Sequence, residues 1–332
     1  MKIFLTNLPS FYKINLYNSI SDYIEVMVVY TGRDLETRNS DFLCGSRNFR
    51  EIQLHGSEWK KALQFKNLLK NEDYTEVIVA GWDNLSSWMG ALVSPKSKNS
   101  VVIESSILES KSSGIKGLLK RLFITRIARA YCSGKSQVDL ARAVGFRGEI
   151  VITKGVGVFN YRKQPVFIPR KEVKHFIYVG RLVWEKNLDF LISQFNRHPE
   201  LSLDIIGYGE LEIKLKSLAN TNIRFIGAVD NKELYKYYEQ ADIFVLASVS
   251  EPWGLVVEEA LNNGLPVMVS DRVGCAEEIV NSDNGVVFHL TEDDFDEKLN
   301  RITNLEEYNR MRYNISKMDF ESIENKQVLC YV

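Results

Sequence analysis

Two glutamates eight residues apart, Glu251 and Glu259, have the setting in this chain that most clearly predicts chemistry. Residues 243–247 form a short apolar run, as a buried parallel strand would, and residues 255–261 have helical spacing. Glu251 is therefore expected at the carboxyl end of a strand, just before a helix. The alternative is an amphipathic helix with two solvated glutamates, which the Pro-Trp-Gly-Leu sequence between them disfavours.

The segment between the two glutamates is suited to binding an anion. Pro252 is tolerated in a first helical turn, and Gly254 permits close approach of the backbone to a ligand. The amides of Trp253, Gly254 and Leu255 are then expected to point, unpaired, beyond the helix N-terminus, where an anion binds well. Glu259 lies further along, so we expect it to accept hydrogen bonds from neighbouring hydroxyls. A phosphate beside hydroxyls indicates a nucleotide sugar.

Two cations follow a second strand-like run, residues 175–180. In open α/β sheets, ligands bind outside the carboxyl ends of strands, so Arg181 and Lys186 are expected in the same pocket as Glu251. Arginine offers a planar fork that matches phosphate oxygens, and lysine offers a compact charge. A single arginine or lysine in a loop is more often solvated. Together with the glutamate segment, however, this pair predicts neutralisation of a diphosphate.

These motifs occur in a fixed order with further glycine-containing segments. The sequences are Gly180-Arg181-Leu182, Glu185-Lys186-Asn187, Ile206-Gly207-Tyr208-Gly209, Ile223-Arg224-Phe225-Ile226-Gly227, the stretch from Glu251 to Pro266, the stretch from Gly274 to Glu278, and Asn284-Gly285. Their order and spacing over about residues 175–290 resemble glycosyltransferase family 4. The resemblance implies a retaining enzyme of the GT-B fold.

The family's binding roles carry over to matching positions of this chain as expectations. The resemblance implies that Arg181 and Lys186 hold the donor diphosphate. It also implies that Glu251 approaches the transferred sugar and that Glu259 binds the nucleotide ribose. The amides of residues 253–255 would contact sugar and phosphate, and the nucleobase would lie near residues 225–229.

The length of the chain and the alternation of strand-like runs with helical patterns predict the fold class. A chain of 332 residues exceeds one ordinary core, so two domains are expected. Apolar runs at residues 3–5, 26–30, 77–80 and 101–103 alternate with helical patterns, which indicates a parallel sheet with crossover helices. With the resemblance, we expect two Rossmann-like doubly wound α/β domains facing across a cleft. We place the first domain at residues 1–163 and the second at 164–310, with a linker over 158–174. The resemblance implies that the first domain binds the acceptor and the second the donor, and that a C-terminal helix at 311–332 crosses back to the first domain.

Composition narrows the class of protein. Hydrophobic residues make up 45% and charged residues 26%, which excludes long disorder and fibrous chains, and a net charge of −1 gives no general attraction to nucleic acid. The cysteines are scattered without metal-ligand or disulfide spacing. They are Cys44, Cys132, Cys275 and Cys330. The start of the chain turns polar too early for a signal peptide, and no apolar run approaches the ~18 residues of a membrane span, so we expect a cytoplasmic protein.

The first half supplies weaker candidates for the acceptor side. The family's glycine-rich loop is absent, with Leu-Pro-Ser-Phe-Tyr-Lys at residues 8–13 in its place. The family's histidine is absent as well, and Glu104 follows the corresponding strand, where it could replace the histidine or meet the acceptor. The other candidates are Ser10, Tyr12, Asp83 and Glu109. For the acidic candidates, the alternative is a helix cap or a first-turn acid.

No metal or other cofactor is expected. Asp294 and Asp296 spell Asp-x-Asp, but they lie in an acidic run that fits a solvated helix start better. The histidines lack ligand spacing. They are His55, His175, His198 and His289. Two cations and a helix N-terminus can supply the electrostatic stabilisation that a metal would otherwise give.

From Lys111 to Arg129 there are six basic residues and no acidic one, interleaved with apolar residues. This pattern predicts a basic amphipathic helix that could lie on an anionic membrane. The alternative is a core-facing apolar stripe with solvated cations. The lipid-linked acceptors of the resembled family favour the membrane.

The sequence therefore predicts retaining transfer of a sugar from a nucleotide diphosphate to a hydroxyl of a glycan or polyprenyl-linked acceptor. Bacterial members of the family suggest surface polysaccharide synthesis, such as O-antigen or capsule, at the inner face of the cytoplasmic membrane. Two alternatives stay open: a non-catalytic nucleotide-sugar-binding protein and a sugar-nucleotide epimerase of the same fold. A dehydrogenase is disfavoured because Gly207-Tyr208-Gly209 lacks the third glycine of the dinucleotide motif.

Overall fold

The computed structural model of the chain describes residues 1–32, 45–159 and 164–332. The chain forms two compact units, which we call unit 1 (Met1–Asn160 with Glu321–Val332) and unit 2 (Tyr161–Phe320). Cys44 and residues 160–163 of the expected linker lie outside the described residues. Each unit contains one parallel sheet with helical crossovers, which confirms the predicted fold class.

Unit 1 is built on a seven-stranded parallel sheet of order β3-β2-β1-β4-β5-β6-β7. Its strands are β1 (Lys2–Thr6), β2 (Val26–Tyr30), β3 (Arg50–Gln53), β4 (Glu76–Ala80), β5 (Asn99–Ile103), β6 (Arg129–Cys132) and β7 (Glu149–Ile152). The helices within Met1–Asn160 are α1 (Phe11–Ser21), α2 (Glu58–Asn71), α3 (Leu85–Val93), α4 (Gly114–Ile124) and α5 (Lys135–Ala143). The central strands are apolar because helices cover both faces of the sheet.

Unit 2 is built on a six-stranded parallel sheet of order β10-β9-β8-β11-β12-β13. Its strands are β8 (His175–Val179), β9 (Ser202–Ile206), β10 (Ile223–Gly227), β11 (Ile243–Leu246), β12 (Val267–Ser270) and β13 (Gly285–Phe288). Its helices are α6 (Leu188–Arg197), α7 (Glu212–Leu218), α8 (Leu234–Gln240), α9 (Leu255–Asn262), α10 (Ala276–Ile279), α11 (Glu292–Thr303) and α12 (Leu305–Ile315). The strand and helix predicted around Glu251 are both present.

The strand order of each sheet reverses direction at one point. In unit 2 that point lies between β8 and β11, which pair in parallel through Phe176 with Ile243 and Ile177 with Phe244. Loops that leave the carboxyl ends of these two strands run to opposite faces, so a crevice opens between them. The loop after β8 carries Arg181 and Lys186, and the loop after β11 carries Glu251.

The C-terminal helix α13 (Phe320–Leu329) lies almost entirely in unit 1. Just beyond it, Tyr331 stacks on Tyr131 with ring centroids 4.5 Å apart, and Lys2 Nζ donates a 2.7 Å hydrogen bond to the Tyr331 carbonyl. The units divide at residues 160/161 and 320/321, whereas the sequence suggested 163/164 and 310/311. The second difference arises because α12 buries Met311 and Ile315 within unit 2.

Candidate functional site

Loops from two adjacent strands bring Lys186 and Glu251 into contact. Lys186 ends a short 3-10 turn after β8, and its Nζ forms an ion pair with Glu251 Oε2. Only 16% and 14% of the two side chains are exposed. The Val249 amide donates a 2.9 Å hydrogen bond to the Glu185 carbonyl, which joins the two loops. The structure thus places these two predicted residues together, while their roles stay predictions.

Arg181 lies at the start of the loop after β8, and its side chain is exposed. The buried Tyr178 hydroxyl donates a 2.8 Å hydrogen bond to the Arg181 carbonyl and fixes the backbone there. A Cβ on Gly207, from the neighbouring loop, would lie 1.8 Å from the Gly180 carbonyl oxygen, so only glycine fits. The Arg181 guanidinium forms no ion pair with any residue in the described ranges. The backbone of Arg181 is therefore held in place, and its guanidinium is available to bind an anion.

The N-terminus of α9 is held open by its neighbours. Gly254 has φ +98°, and a Cβ there would lie 2.9 Å from Val273 Cγ1. The Cys275 amide donates a 2.8 Å hydrogen bond to the Trp253 carbonyl, and a second bond from Gly274 reaches the Glu251 carbonyl at 2.8 Å. Within the described residues, the amides of residues 253–255 donate no hydrogen bond. They leave the start of α9 open, and the binding of an anion there stays a prediction.

Trp253 and Glu258 form an internal contact that sequence reasoning missed. The Trp253 indole Nε1 donates a 2.7 Å hydrogen bond to Glu258 Oε2, and both side chains are buried. This bond ties the loop before α9 to the first turn of the helix. Glu258 is therefore a positioning residue, and Trp253 can contribute only its backbone amide to a ligand at the helix end.

Glu259 differs from its neighbour because its carboxylate forms no hydrogen bond or ion pair with any residue that the structure describes. Burial raises its pKa from an ordinary 4.5 to about 7. The nearby Tyr238 is buried, and its hydroxyl has no hydrogen-bond partner among the described residues. Burial, followed by the charge of Glu259, raises the pKa of that hydroxyl. A half-buried carboxylate without donors is suited to accept hydrogen bonds from ligand hydroxyls.

In unit 1, Glu104 follows β5 and forms an ion pair with Lys13 of α1. The lysine side chain is buried, and the glutamate is partly exposed. Gln137 Nε2 also donates a 3.1 Å hydrogen bond to the Glu104 carbonyl. Sequence reasoning missed Lys13 because only the sheet topology brings α1 near the end of β5. Lys13 therefore holds the Glu104 carboxylate in place and balances its charge.

The other acceptor-side candidates have more ordinary surroundings. Ser10 is the buried N-cap residue of α1, although its side chain makes no capping hydrogen bond. Tyr12 packs edge-on against Phe11 with ring centroids 5.6 Å apart. Asp83 follows β4, and Glu109 Oε1 accepts a 3.1 Å hydrogen bond from the Ser106 amide. Glu109 thus braces its own loop, and acceptor binding by the four residues stays a prediction.

The basic segment forms a shorter helix than predicted. Helix α4 ends at Ile124, and Arg129 is already the first residue of β6, so a single helix from Lys111 to Arg129 is wrong. The chain turns after Ile124 because the Arg126 amide bonds the Phe123 carbonyl at 3.0 Å. The apolar residues divide between core and solvent: Phe123 and Ile127 are buried, and the earlier ones are exposed.

The acidic run forms a helix start, as the sequence favoured. Asp294 and Asp296 lie at the start of α11, and Asp296 pairs with Arg197 and with His198 at 2.5 and 3.1 Å. Across residues 1–32, 45–159 and 164–332, no three His, Cys, Asp or Glu side chains cluster as a metal site would require. No helix in the same ranges has the length and apolar character of a membrane span.

Two doubly wound parallel-sheet units with these strand orders define the GT-B class of fold. Solved structures of this fold superpose on the chain over almost its whole length. The lipopolysaccharide outer core galactosyltransferase WaaB, in its apo form, has a TM-score of 0.75 at 19% identity and covers 100% of both chains. HepE from Anabaena, in complex with UDP and glucose, has a TM-score of 0.72 at 15% identity over 98% of this chain and 97% of its own.

The family match lies in unit 2. Residues 161–318 match the family model for glycosyl transferases group 1. The O-antigen biosynthesis glycosyltransferase WbnH of Escherichia coli is 37% identical over 176 residues, which are 52% of this chain and 49% of WbnH. The chain thus spans about half the length of the curated relatives it matches. Unit 2 is therefore the part of the chain that is similar to glycosyl transferases of group 1.

Proposed function

We propose that this protein transfers a sugar from a nucleotide diphosphate to a hydroxyl of a glycan or polyprenyl-linked acceptor, with retained anomeric configuration. One observation supports the proposal most strongly. In unit 2, cationic side chains, acidic side chains and backbone amides that donate no hydrogen bond to a described residue lie on the loops where the strand order reverses, between β8 and β11. Arg181, the Lys186–Glu251 pair and the open end of α9 all belong to loops at the carboxyl edge of one sheet. The group 1 match of unit 2 supports this reading.

The donor diphosphate would be held by Arg181, Lys186 and the amides at the N-terminus of α9. Negative charge grows on the leaving phosphate as the bond to the sugar breaks. Fixed positive groups at that oxygen therefore stabilise the transition state more than the bound donor. Because these groups carry the charge, the proposed reaction needs no metal ion.

Lys186 and Glu251 would exchange partners when the donor binds. In the structure they form an ion pair at a mostly buried position. A phosphate that attracts Lys186 would free Glu251 to accept hydrogen bonds from the transferred sugar. Glu259 would accept hydrogen bonds from the ribose, which gives its unpartnered carboxylate the donors that it lacks.

We assign the acceptor to unit 1, with Glu104 as the first candidate to meet it. Its ion pair with Lys13 holds the carboxylate in place. Ser10, Tyr12, Asp83 and Glu109 are weaker candidates, and Glu109 is the weakest because its own loop uses it. The retained configuration and membership of family 4 belong to the same proposal.

We propose surface polysaccharide synthesis, such as O-antigen or capsule, as the biological setting. The names of two similar proteins support it, because WbnH is described as an O-antigen biosynthesis glycosyltransferase and WaaB as a lipopolysaccharide galactosyltransferase. A polyprenyl-linked acceptor would place the protein in the cytoplasm, at the inner face of the cytoplasmic membrane.

A two-stage experiment tests the proposed function. A thermal-shift screen with nucleoside diphosphates and their sugars first finds the donor, because a ligand at 100 times its Kd stabilises by about 2.7 kcal/mol. Turnover with that donor is then followed by NMR, with and without a glycan acceptor. We expect an α-linked product from an α-linked donor, and Arg181→Ala should lower the rate about 100-fold or more.

The alternatives predict different products in the same assay. An epimerase would change the donor sugar without any acceptor, and a non-catalytic binding protein would shift the melting temperature but give no product. Inverted product, or near-normal turnover by Arg181→Ala, would refute the proposed reaction.

A further inference from the structure

The loop after β8 holds a tryptophan side chain in solvent. Trp184 is 64% exposed, whereas Trp82 and Trp253 are 9% and 2% exposed. Its indole Nε1 donates no hydrogen bond to any residue in the part of the chain that the structure describes. Exposure alone does not indicate a ligand, because single apolar side chains are common on protein surfaces. The setting of Trp184 does, since a fixed backbone holds it beside the candidate donor site.

Hydrogen bonds to both neighbouring loops fix the backbone around Trp184. On one side, the Leu182 amide donates a 2.9 Å bond to the carbonyl of Tyr208, in the loop after β9. On the other side, the Val249 amide, in the loop after β11, donates a 2.9 Å bond to the Glu185 carbonyl. The indole itself turns about only two side-chain bonds, so a ligand that packs on it costs little conformational entropy.

Trp184 lies beside the side chains that we propose to bind the donor. It precedes Lys186 by two residues and follows Arg181 by three, so its Cα lies at most about 7 Å and about 11 Å from theirs. Lys186 in turn forms its ion pair with Glu251. A ligand held by the two cations therefore lies next to the loop that carries the indole.

A pyranose ring has the chemistry that matches an exposed indole beside cations. One face of such a ring presents mainly C–H bonds, whose hydrogens are slightly positive, and the face of an aromatic ring is negative. The two faces therefore attract when stacked, and a sugar hydroxyl can accept a hydrogen bond from the indole Nε1. A nucleoside diphosphate without its sugar would meet the cations and leave the indole in water.

We propose that Trp184 binds a pyranose ring by stacking, at the donor site of unit 2. The inference rests on the proposed sugar transfer, and it adds a side chain that recognises a sugar ring where Arg181 and Lys186 recognise phosphate. The ring is either the sugar of the donor or the terminal sugar of the acceptor. Both present the same C–H face, and they differ in which binding step depends on the indole.

Calorimetric titration and turnover with the full chain test the proposal. The donor probes are UDP-glucose, UDP-galactose, UDP-N-acetylglucosamine and GDP-mannose, each compared with its nucleoside diphosphate. The acceptor probes are the methyl glycosides of glucose, galactose and N-acetylglucosamine. If the ring is the donor's, Trp184→Leu should weaken the nucleotide sugar about fivefold and leave the diphosphate unchanged. If it is the acceptor's, donor affinity should stay the same and the KM for the acceptor should rise about fivefold.

A conservative variant separates stacking from plain apolar contact. Trp184→Phe keeps an aromatic face, so it should retain most of the affinity that Trp184→Leu loses, although leucine is also apolar. Sugar binding should change the intrinsic tryptophan fluorescence of the wild type, and Trp184→Phe should lose that change while still binding.

Trp59→Leu is the matched control, because Trp59 is 60% exposed on α2 of unit 1. It should alter neither affinity nor KM, and the melting temperature of every variant should stay near that of the wild type. Wild-type affinities and KM in Trp184→Leu would overturn this inference and leave the sugar transfer standing. Equal losses for nucleotide sugar and diphosphate would also overturn it, since the indole would then stack on the base. A wild type that binds none of the nucleotide sugars would overturn the proposed function as well.

Discussion

Adjacent glutamates of α9 should respond to substitution with opposite changes in stability. Burial raises the pKa of Glu259 from 4.5 to about 7, so its charged form is destabilised in the folded state. At about 1.4 kcal/mol per pH unit, this difference corresponds to at most about 3.5 kcal/mol above pH 7. Partial exposure to water reduces it, and we expect Glu259→Gln to stabilise the protein by about 1 to 2 kcal/mol at pH 8.

The sign of the pH dependence follows from the raised pKa. Below pH 4.5 the carboxyl is protonated in both folded and unfolded chains, so it costs nothing. The cost grows as the pH rises from 4.5 to about 7 and is constant above that. The stability gained by Glu259→Gln should therefore be much smaller at pH 5 than at pH 8. Urea unfolding at the two pH values measures the difference.

Glu258→Ala is the matched comparison. It leaves the buried Trp253 Nε1 without its acceptor, so it should destabilise by about 1 to 3 kcal/mol. Glu259→Gln should weaken nucleotide binding about tenfold or more, since hydrogen bonds to a charged group contribute about 1.5 to 3 kcal/mol. Calorimetric titration with the best nucleoside diphosphate measures this loss. A Glu259→Gln protein that is less stable at pH 8, or that binds nucleotide like the wild type, refutes the reasoning.

Two further predictions concern contacts that hold the loops of the site in place. Trp253→Phe removes the other half of the same buried bond, so its loss of stability should match that of Glu258→Ala within about 1 kcal/mol. The double variant should lose little more than either single one, whereas additive losses in urea unfolding would mean that the bond is not shared. Gly207→Ala places a Cβ 1.8 Å from the Gly180 carbonyl and should destabilise by about 3 kcal/mol or more. Gly145→Ala has φ +91° but no heavy atom within 4 Å, so it should cost only about 1 kcal/mol, and equal losses would show that crowding is unimportant.

The sequence predicted the parts of the fold that depend on local pattern. Runs such as residues 26–30 and 243–247 form buried strands because apolar residues without breaks fit a sheet covered on both faces. Strands β3, β6 and β7 of unit 1 were not predicted. Strands β3 and β7 lie at the two edges of the sheet, where charged and exposed residues such as Arg50 and Glu149 weaken the apolar signal. Strand β6 is an interior strand, but it is only four residues long and begins with Arg129.

The proximity of Lys186 and Glu251 was predictable because a general rule places ligands at the carboxyl ends of parallel strands. The contacts that support the site were not predictable in the same way. The bond from Trp253 to Glu258 depends on how α9 starts, and the pairing of Lys13 with Glu104 depends on sheet order. Local sequence does not encode either arrangement.

Helix α4 is a further case in which the sequence pattern alone does not determine the structure. Its spacing predicts an apolar stripe but does not determine whether that stripe faces the core or the solvent. The buried contacts of Lys120, Phe123 and Gly117 decide which side faces the domain. Long-range packing therefore determines whether a helical stripe becomes core or surface.

The central claim is that a diphosphate is bound by Arg181, Lys186 and the N-terminus of α9, and affinity for a phosphate series tests it most directly. Titration calorimetry compares the nucleoside diphosphate with the monophosphate for the wild type, for Arg181→Ala and for Arg310→Ala, an exposed arginine elsewhere in unit 2 that pairs with Asp283. We predict that Arg181→Ala weakens the diphosphate about tenfold or more and the monophosphate much less, while Arg310→Ala changes neither. Equal losses for both nucleotides, or no loss for the diphosphate, would contradict the account.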